Sequence, residues 1–260
     1  NKFAKINSPT AGARKQAELP IGRASFQLYS VATPNGQKVS ILLEELGIEY
    51  DAHKMDLTKD QFKTRFVEIN PNSKIPIAID IVKGKPVRLF ESGSIMLYLA
   101  EKYDKFIPSN PLRRTEMLNW LFWQVSNLGP IVGACFGHFF VYAPDDQHQA
   151  RDYALGRYGM EVKRLLSVLE QHLLYREFMM DSTLTIADMA IFPWVLQLRR
   201  GYRHPSGNAA SHFLSMEATY PAVMGWCDRM LERPAVQRGL RVCEWSKDYA
   251  KPWDQEGSQR

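Results

Sequence analysis

Apolar and polar positions follow two regimes along the chain, with a change near residue 104. In the first, "FQLYS" (Phe26–Ser30) alternates as a strand does. From Gln37 onward, Val39, Leu42, Leu43 and Leu46 fall at i, i+3, i+4 and i+7. This is the stripe of an amphipathic helix, and Gly47 closes it. Ile48–Met55 predicts a second strand and the residues around Asp60–Phe66 a short helix. Ile77–Val82 and Val87–Phe90 predict two strands joined by Lys83, Gly84, Lys85 and Pro86, a hairpin signal. "ESGSIMLYLAEKY" then predicts a helix with Met96, Leu99, Ala100 and Tyr103 on one face. The order is βαβ, a helix, then ββα.

After "DKFIPSNPL" (104–112), a Pro-bearing linker, strand patterns vanish. Val162, Leu165, Leu166, Leu169 and Leu173 stripe one helix; Ile191, Trp194, Val195 and Leu198 stripe another. The predicted organisation is an extended arm over 1–25, an α+β domain over 26–104, an all-helical domain over 113–245 and a polar tail over 246–260.

Composition narrows the function classes. With 260 residues, 45% hydrophobic and 23% charged, the chain matches a soluble globular protein. Its net charge of +5 is spread along the sequence without a basic run, so no nucleic-acid surface is indicated. Cys135, Cys227 and Cys243 form neither a CxxC pair nor metal-ligand spacing, so no metal site is expected and a reducing, cytoplasmic setting is. The apolar stretches read as strand-length or amphipathic, short of the roughly 18 residues a membrane span needs. No secretory signal opens the sequence, and no membrane partner is expected.

Three turns carry candidate chemistry. "YSVATPNGQKV" runs from strand to helix through Thr33, Pro34, Asn35 and Gly36, and offers no thiol. "NPNSKIP" precedes the third strand; Ile75–Pro76 is either an ordinary trans turn or a cis bond, and cis would leave the Ile75 backbone free for strand-type ligand pairing. "FESGS" ends a strand and opens a helix. There Ser92 either caps the helix or, with Glu91, receives an α-amino acid head group at the helix N-terminus. In "TLTIADMAIF", Thr185 and Asp188 have capping-box spacing, a structural role that makes Asp188 a poor catalytic candidate. Pro193 inside that helix predicts a kink.

The element order, together with "TPNGQKV", "NPNSKIP", "FESGSIMLYLAEK", "NWLFWQ", "FGHFFVYAP", "TIADMAI" and the arm segment "INSP", resembles the glutathione transferase family over roughly residues 26–240. The similarity is greatest to bacterial nu-class glutathione-dependent disulfide-bond reductases. It implies a thioredoxin-like first domain followed by an all-α domain, with glutathione as co-substrate bringing the sulfur that the turn lacks. Thr33 and Asn35 would sit beside the glutathione thiol as the catalytic pair. Gln61 and Lys74 would reach its glycyl end, Ile75 its cysteinyl backbone, and Glu91 with Ser92 its γ-glutamyl head. A second glutathione would involve Asn7, Gln124 and Arg157. The resemblance also implies a homodimer, with Ser92–Tyr103 and the helix near Arg113–Trp123 at its two-fold.

The implied chemistry is thiolate attack on a small disulfide, with organic hydroperoxides as companion substrates. One hydrogen bond to a charged group is worth roughly 1.5–3 kcal/mol, which lowers a thiol pKa of about 8.5 by roughly one to two units. Two other readings stand beside it: conjugation of glutathione to electrophiles, and a non-catalytic binding or regulatory module on the same fold. Cys135 reads as a small hydrophobe or a partner for a mixed disulfide. His138 with Phe136, Phe139, Phe140 and Tyr142 reads as pocket lining or as aromatic packing. Tyr29 and Ser30 sit near the turn, where some classes of the family use a Tyr or Ser; the "TPN" pattern favours Thr33 and Asn35, with Ser30 kept as an alternative.

Overall fold

The computed structural model describes residues 12–143, 148–204 and 206–244. In chain order its main elements are β1 (Phe26–Ser30), α1 (Pro34–Leu46), β2 (Asp51–Lys54), α2 (Thr64–Ile69), β3 (Ile77–Val82), β4 (Lys85–Phe90) and α3 (Ser92–Tyr103). There follow α4 (Pro111–Trp123), α5 (His148–Leu173), α6 (Ile186–Leu196), α7 (Ala210–Phe213), α8 (Met216–Thr219), α9 (Pro221–Glu232) and α10 (Pro234–Arg241). The described residues form two compact units: one joins 12–103 to 233–244, and the other lies within Asp104–Glu232. The closing helix α10, which the sequence reading assigns to the helical domain, therefore belongs with the sheet. The 246–260 tail and residues 1–11 of the arm lie outside the described residues.

In the first unit the strand order is β2-β1-β3-β4, with β1 and β2 parallel and the other pairs antiparallel. Tyr29 pairs with Ile77, and Ile77 with Phe90. This register brings the end of β1, the start of β3 and the end of β4 to the same end of the sheet. Because β2 runs parallel to β1, the loop after Lys54 leaves from that end too. The four segments that carry the candidate residues are thus gathered by topology alone.

Helix α1 begins at Pro34, three residues before the apolar stripe suggests, because proline at the first helical position gives up no hydrogen bond. Gly47 ends it at φ 66°, a left-handed conformation that glycine adopts without a Cβ clash. The helix is buried on more than its apolar stripe. Ser40 Oγ donates to the Gly239 carbonyl at 2.7 Å, Arg238 reaches Glu44 at 2.7 Å, and Arg233 forks onto Glu45 at 2.6 and 2.9 Å. Helix α10 thus covers the polar face of α1, and a Cβ on Gly239 would stand 2.6 Å from Ile41 Cα.

The described part of the arm is tied to the sheet side of this unit. Tyr29 donates its hydroxyl to the Pro20 carbonyl at 2.7 Å, Ala24 N–H donates to Asp51, and Arg14 and Lys15 N–H groups donate to the Phe62 carbonyl. β2 is shorter than the predicted strand, starting at Asp51 rather than Ile48.

In the second unit, α4 continues without a break through Tyr142, with wider i→i+5 hydrogen bonding over Gln124–Leu128 and Ile131–Tyr142. By length and composition this 32-residue helix is long and apolar enough to cross a bilayer, contrary to the sequence reading. Met117, Leu121, Leu128, Val132, Phe136 and Phe140 are buried along it, the stripe of a core helix. Asp188, fully buried on α6, accepts hydrogen bonds from Met179 N–H (2.7 Å), Thr185 N–H (3.0 Å), the Thr185 hydroxyl (3.2 Å) and the Trp226 indole (3.0 Å). The predicted capping box is in place, and Asp188 serves the fold.

Candidate functional site

The site grows from the turn between β1 and α1. Thr33 is the N-cap of α1, and its Oγ1 accepts from Gly36 N–H at 3.3 Å. That bond occupies an oxygen lone pair and leaves the hydroxyl proton to donate elsewhere. Gly36 is required here, since a Cβ would stand 2.1 Å from the Val31 carbonyl. Asn35 follows in the first turn, half-buried, where the helix dipole favours negative charge.

The neighbouring residues Tyr29 and Ser30 take structural roles. Tyr29 is buried, stacked on His53 and bonded to Pro20; burial pushes its phenol up to about 12. Ser30 is buried and donates to the Val31 carbonyl. Sequence reasoning missed that a cysteine approaches this turn: Ala32 N–H donates to the Cys243 carbonyl at 3.0 Å. Only its backbone takes part. The Cys243 thiol is buried and pushed up to about 12 by that burial, which makes it a poor nucleophile.

Before β3, Asn70 orders the turn. Its Nδ2 donates to the Lys74 carbonyl at 2.8 Å and its Oδ1 accepts from Asn72 N–H at 2.9 Å. Ile75–Pro76 is cis, and the Ile75 backbone makes no hydrogen bond to the described residues. Lys74 is exposed beside it. Gln61, in the 3-10 turn Asp60–Phe62, is buried, and its Nε2 donates to the Leu57 carbonyl at 2.6 Å.

At the β4–α3 junction, Glu91 holds a left-handed backbone at φ 63° with an exposed side chain. A non-glycine residue in this region is strained, and such strain concentrates at binding sites. Ser92 is the first residue of α3, so it stands inside the helix start rather than before it. Its Oγ accepts from Lys38 Nζ at 3.3 Å. Lys38 comes from α1, is 2% exposed, and was not singled out from the sequence. Its signal was there to read: a cation three and four residues before Ile41 and Leu42, on the inward side of the helix.

Of the three residues matched to a second glutathione, the structure describes Gln124 and Arg157. Asn7 lies outside the described residues. Gln124 is 0% exposed, with neither amide atom hydrogen-bonded to the described residues. Arg157 is exposed on α5. In the same unit Phe136 stacks on Phe140 at 5.2 Å and both meet Phe213, while His138 sets its edge against Phe139 at 5.4 Å. These contacts are aromatic packing within the helical unit. No cluster of metal-ligating side chains occurs among the described residues.

Comparison with known proteins matches residues 32–102 to the glutathione S-transferase N-terminal domain and residues 134–234 to the C-terminal domain of the same family. The disulfide-bond oxidoreductase YghU of Escherichia coli strain K12 is 46% identical over 247 residues, covering 92% of this chain and 82% of that protein. The disulfide-bond oxidoreductase YfcG of the same strain is 40% identical over 219 residues, covering 83% and 94%. The crystal structure of the glutathione transferase YghU from Streptococcus pneumoniae, complexed with glutathione, superposes with a TM-score of 0.84 at 45% identity, covering 92% of this chain and 91% of that one. With both domain models matched in order and these relatives aligned over most of its length, the chain belongs to the glutathione S-transferase family.

Proposed function

We propose that the protein is a glutathione-dependent oxidoreductase that reduces small disulfides with the thiolate of bound glutathione. The observation that carries this reading is the Thr33 cap. Gly36 N–H occupies the Thr33 oxygen, so the hydroxyl proton is available to a sulfur at the N-terminus of α1. The helix supplies a second favourable field at the same point. Asn35 adds a side-chain amide in the first turn. In this reading Ile75, Gln61 and Lys74 hold the peptide, and Glu91 with Ser92 its head. Relatives named for disulfide-bond oxidoreduction, and a neighbour that holds glutathione, support it.

The reaction conserves electrons by two exchanges. The bound thiolate attacks one sulfur of the substrate disulfide, forming a mixed disulfide and expelling the other sulfur as thiolate. A second glutathione thiolate attacks the glutathione sulfur of that mixed disulfide. It releases the reduced substrate thiol and leaves oxidised glutathione. The same thiolate would attack the O–O bond of an organic hydroperoxide, releasing the alcohol and leaving glutathione sulfenic acid, which a second glutathione converts to oxidised glutathione and water. Free Cys135, Cys227 and Cys243 fit a reducing, cytoplasmic setting, and the exposed Leu112 and Phe122 on α4 fit a homodimer.

The test is an assay with 2-hydroxyethyl disulfide and glutathione. Disulfide reduction is expected, with at least a tenfold fall in Asn35→Ala, about 1.4 kcal/mol in barrier. An unchanged rate in that variant removes Asn35 from the mechanism, and no turnover in the parent protein removes the activity.

A further inference from the structure

Lys38 is the buried charge that the proposed chemistry leaves unused. It rises from the second turn of α1, and α1 packs against α3, whose first residue is Ser92. An ammonium has three N–H donors. Among the described residues its hydrogen-bond partner is one neutral hydroxyl, Ser92 Oγ. A buried cation held by one neutral acceptor is costly. The neighbouring carboxylate, Glu91, is exposed, and its charge acts on Lys38 without a hydrogen bond to it. The first N–H groups of α3 have no partner within their helix, and the positive end of its dipole lies at the same place. Two positive features converge where the described residues supply no buried anion.

Hydrogen-bond direction adds the second half of the argument. Lys38 Nζ donates to Ser92 Oγ, so that oxygen is engaged as an acceptor and the Ser92 proton is free to donate. A carboxylate at the α3 N-terminus would meet that proton and the first backbone N–H groups, with the ammonium behind them. Glu91, exposed and one residue earlier, is placed for the ammonium of the same head group.

We propose that Lys38 is a specificity-determining positioning residue: acting through Ser92, its charge selects ligands that carry the free α-carboxylate of a γ-glutamyl head. This rests on the reading that the site holds glutathione. It goes further in assigning the selection for that carboxylate to a residue on α1 rather than to the β4–α3 junction alone. Burial lowers the Lys38 ammonium to about 7, against the pull of Glu91, so an incoming carboxylate would stabilise the charged form.

The test is calorimetric binding of glutathione and of γ-aminobutyryl-cysteinyl-glycine, which lacks the α-carboxylate. The full chain is compared with Lys38→Met and Lys38→Gln. The parent should prefer glutathione by at least tenfold, and both neutral variants should reduce that preference to about threefold or less. Their affinity for the analogue should stay within about twofold of the parent's, which a merely structural loss would not give. Equal loss for both ligands, or preserved discrimination, overturns the role of Lys38 while leaving glutathione binding intact. Absence of glutathione binding to the parent overturns both readings.

Discussion

Two buried charged side chains, one from each unit, are treated in opposite ways. In the helical unit the carboxylate of Asp188 gathers four donors from the chain itself. In the sheet unit the ammonium of Lys38 meets one neutral oxygen. A buried charge whose hydrogen bonds are met internally fixes a fold. One left short of partners is held ready for something that arrives later. The charges of α1 make the same point within one helix: Glu44 and Glu45 are paired by Arg238 and Arg233 of α10, whereas Lys38 points toward the site.

The most severe way to break this comparison is Asp188→Ala. It orphans the Met179 and Thr185 N–H groups and the Trp226 indole inside a packed core. Each buried donor left unpaired costs about 1–3 kcal/mol, so the total loss should reach about 3 kcal/mol or more. Denaturant unfolding would show it as a lower midpoint. The pH dependence has a definite sign. Burial raises Asp188 from 3.8 to about 6, so its stabilising contribution is full below about pH 4 and is lost as pH rises to about 6. That slope should be absent from the variant.

Lys38→Met should act in the opposite direction. The unfolded chain binds the lysine proton more tightly than the folded one, whose ammonium is lowered from 10.5 to about 7. Parent stability therefore gains from Lys38 as pH climbs from about 7 toward 10.5. At pH 7 and below, the folded chain carries the burial cost. Replacing the charge by an apolar side chain of similar length should stabilise the fold by on the order of 2 kcal/mol at pH 7 and flatten that slope. A midpoint lower than the parent's at pH 7 would mean that Lys38 serves the fold as Asp188 does.

Much of this arrangement can be read along the chain, and the parts that cannot share a cause. The stripe Val39, Leu42, Leu43 and Leu46, the hairpin at Lys83–Pro86 and the Thr185–Asp188 spacing are local patterns, and each appears in the structure as an element or cap. At the candidate site, the turns holding Thr33, Ile75 and Ser92 announce themselves by Pro, Gly and Ser, and strand register then brings them to one end. What escapes is long-range. The inward place of Lys38 can be read from Ile41 and Leu42, but its partner Ser92 arrives 54 positions later, beyond any local rule. Glu91 gives no local hint of a left-handed backbone. The helix through Tyr142 exceeds the predicted lengths because its apolar run continues at a wider pitch than a 3.6-residue stripe can track. Helix α10 reads as one more helix of the C-terminal series until Gly239 is found against Ile41.

That last contact gives the mildest test, and it separates packing from charge on α1. Gly239→Ala places a Cβ about where Ile41 backbone stands, 2.7 Å from its nitrogen, and backbone cannot rotate away as a side chain would. Overpacking of this kind costs roughly 1–3 kcal/mol. The lower end, about 1 kcal/mol, corresponds to α10 yielding by a shift outward from α1. Such a shift lengthens the Ser40–Gly239 hydrogen bond and loosens the pairs of Glu44 and Glu45, none of which touches Ser92. Unfolding midpoints should therefore fall while the preference for glutathione over its decarboxylated analogue stays at the parent value. If that preference falls as well, the set of Lys38 depends on the packing of α10, and its charge is not an independent device of the site.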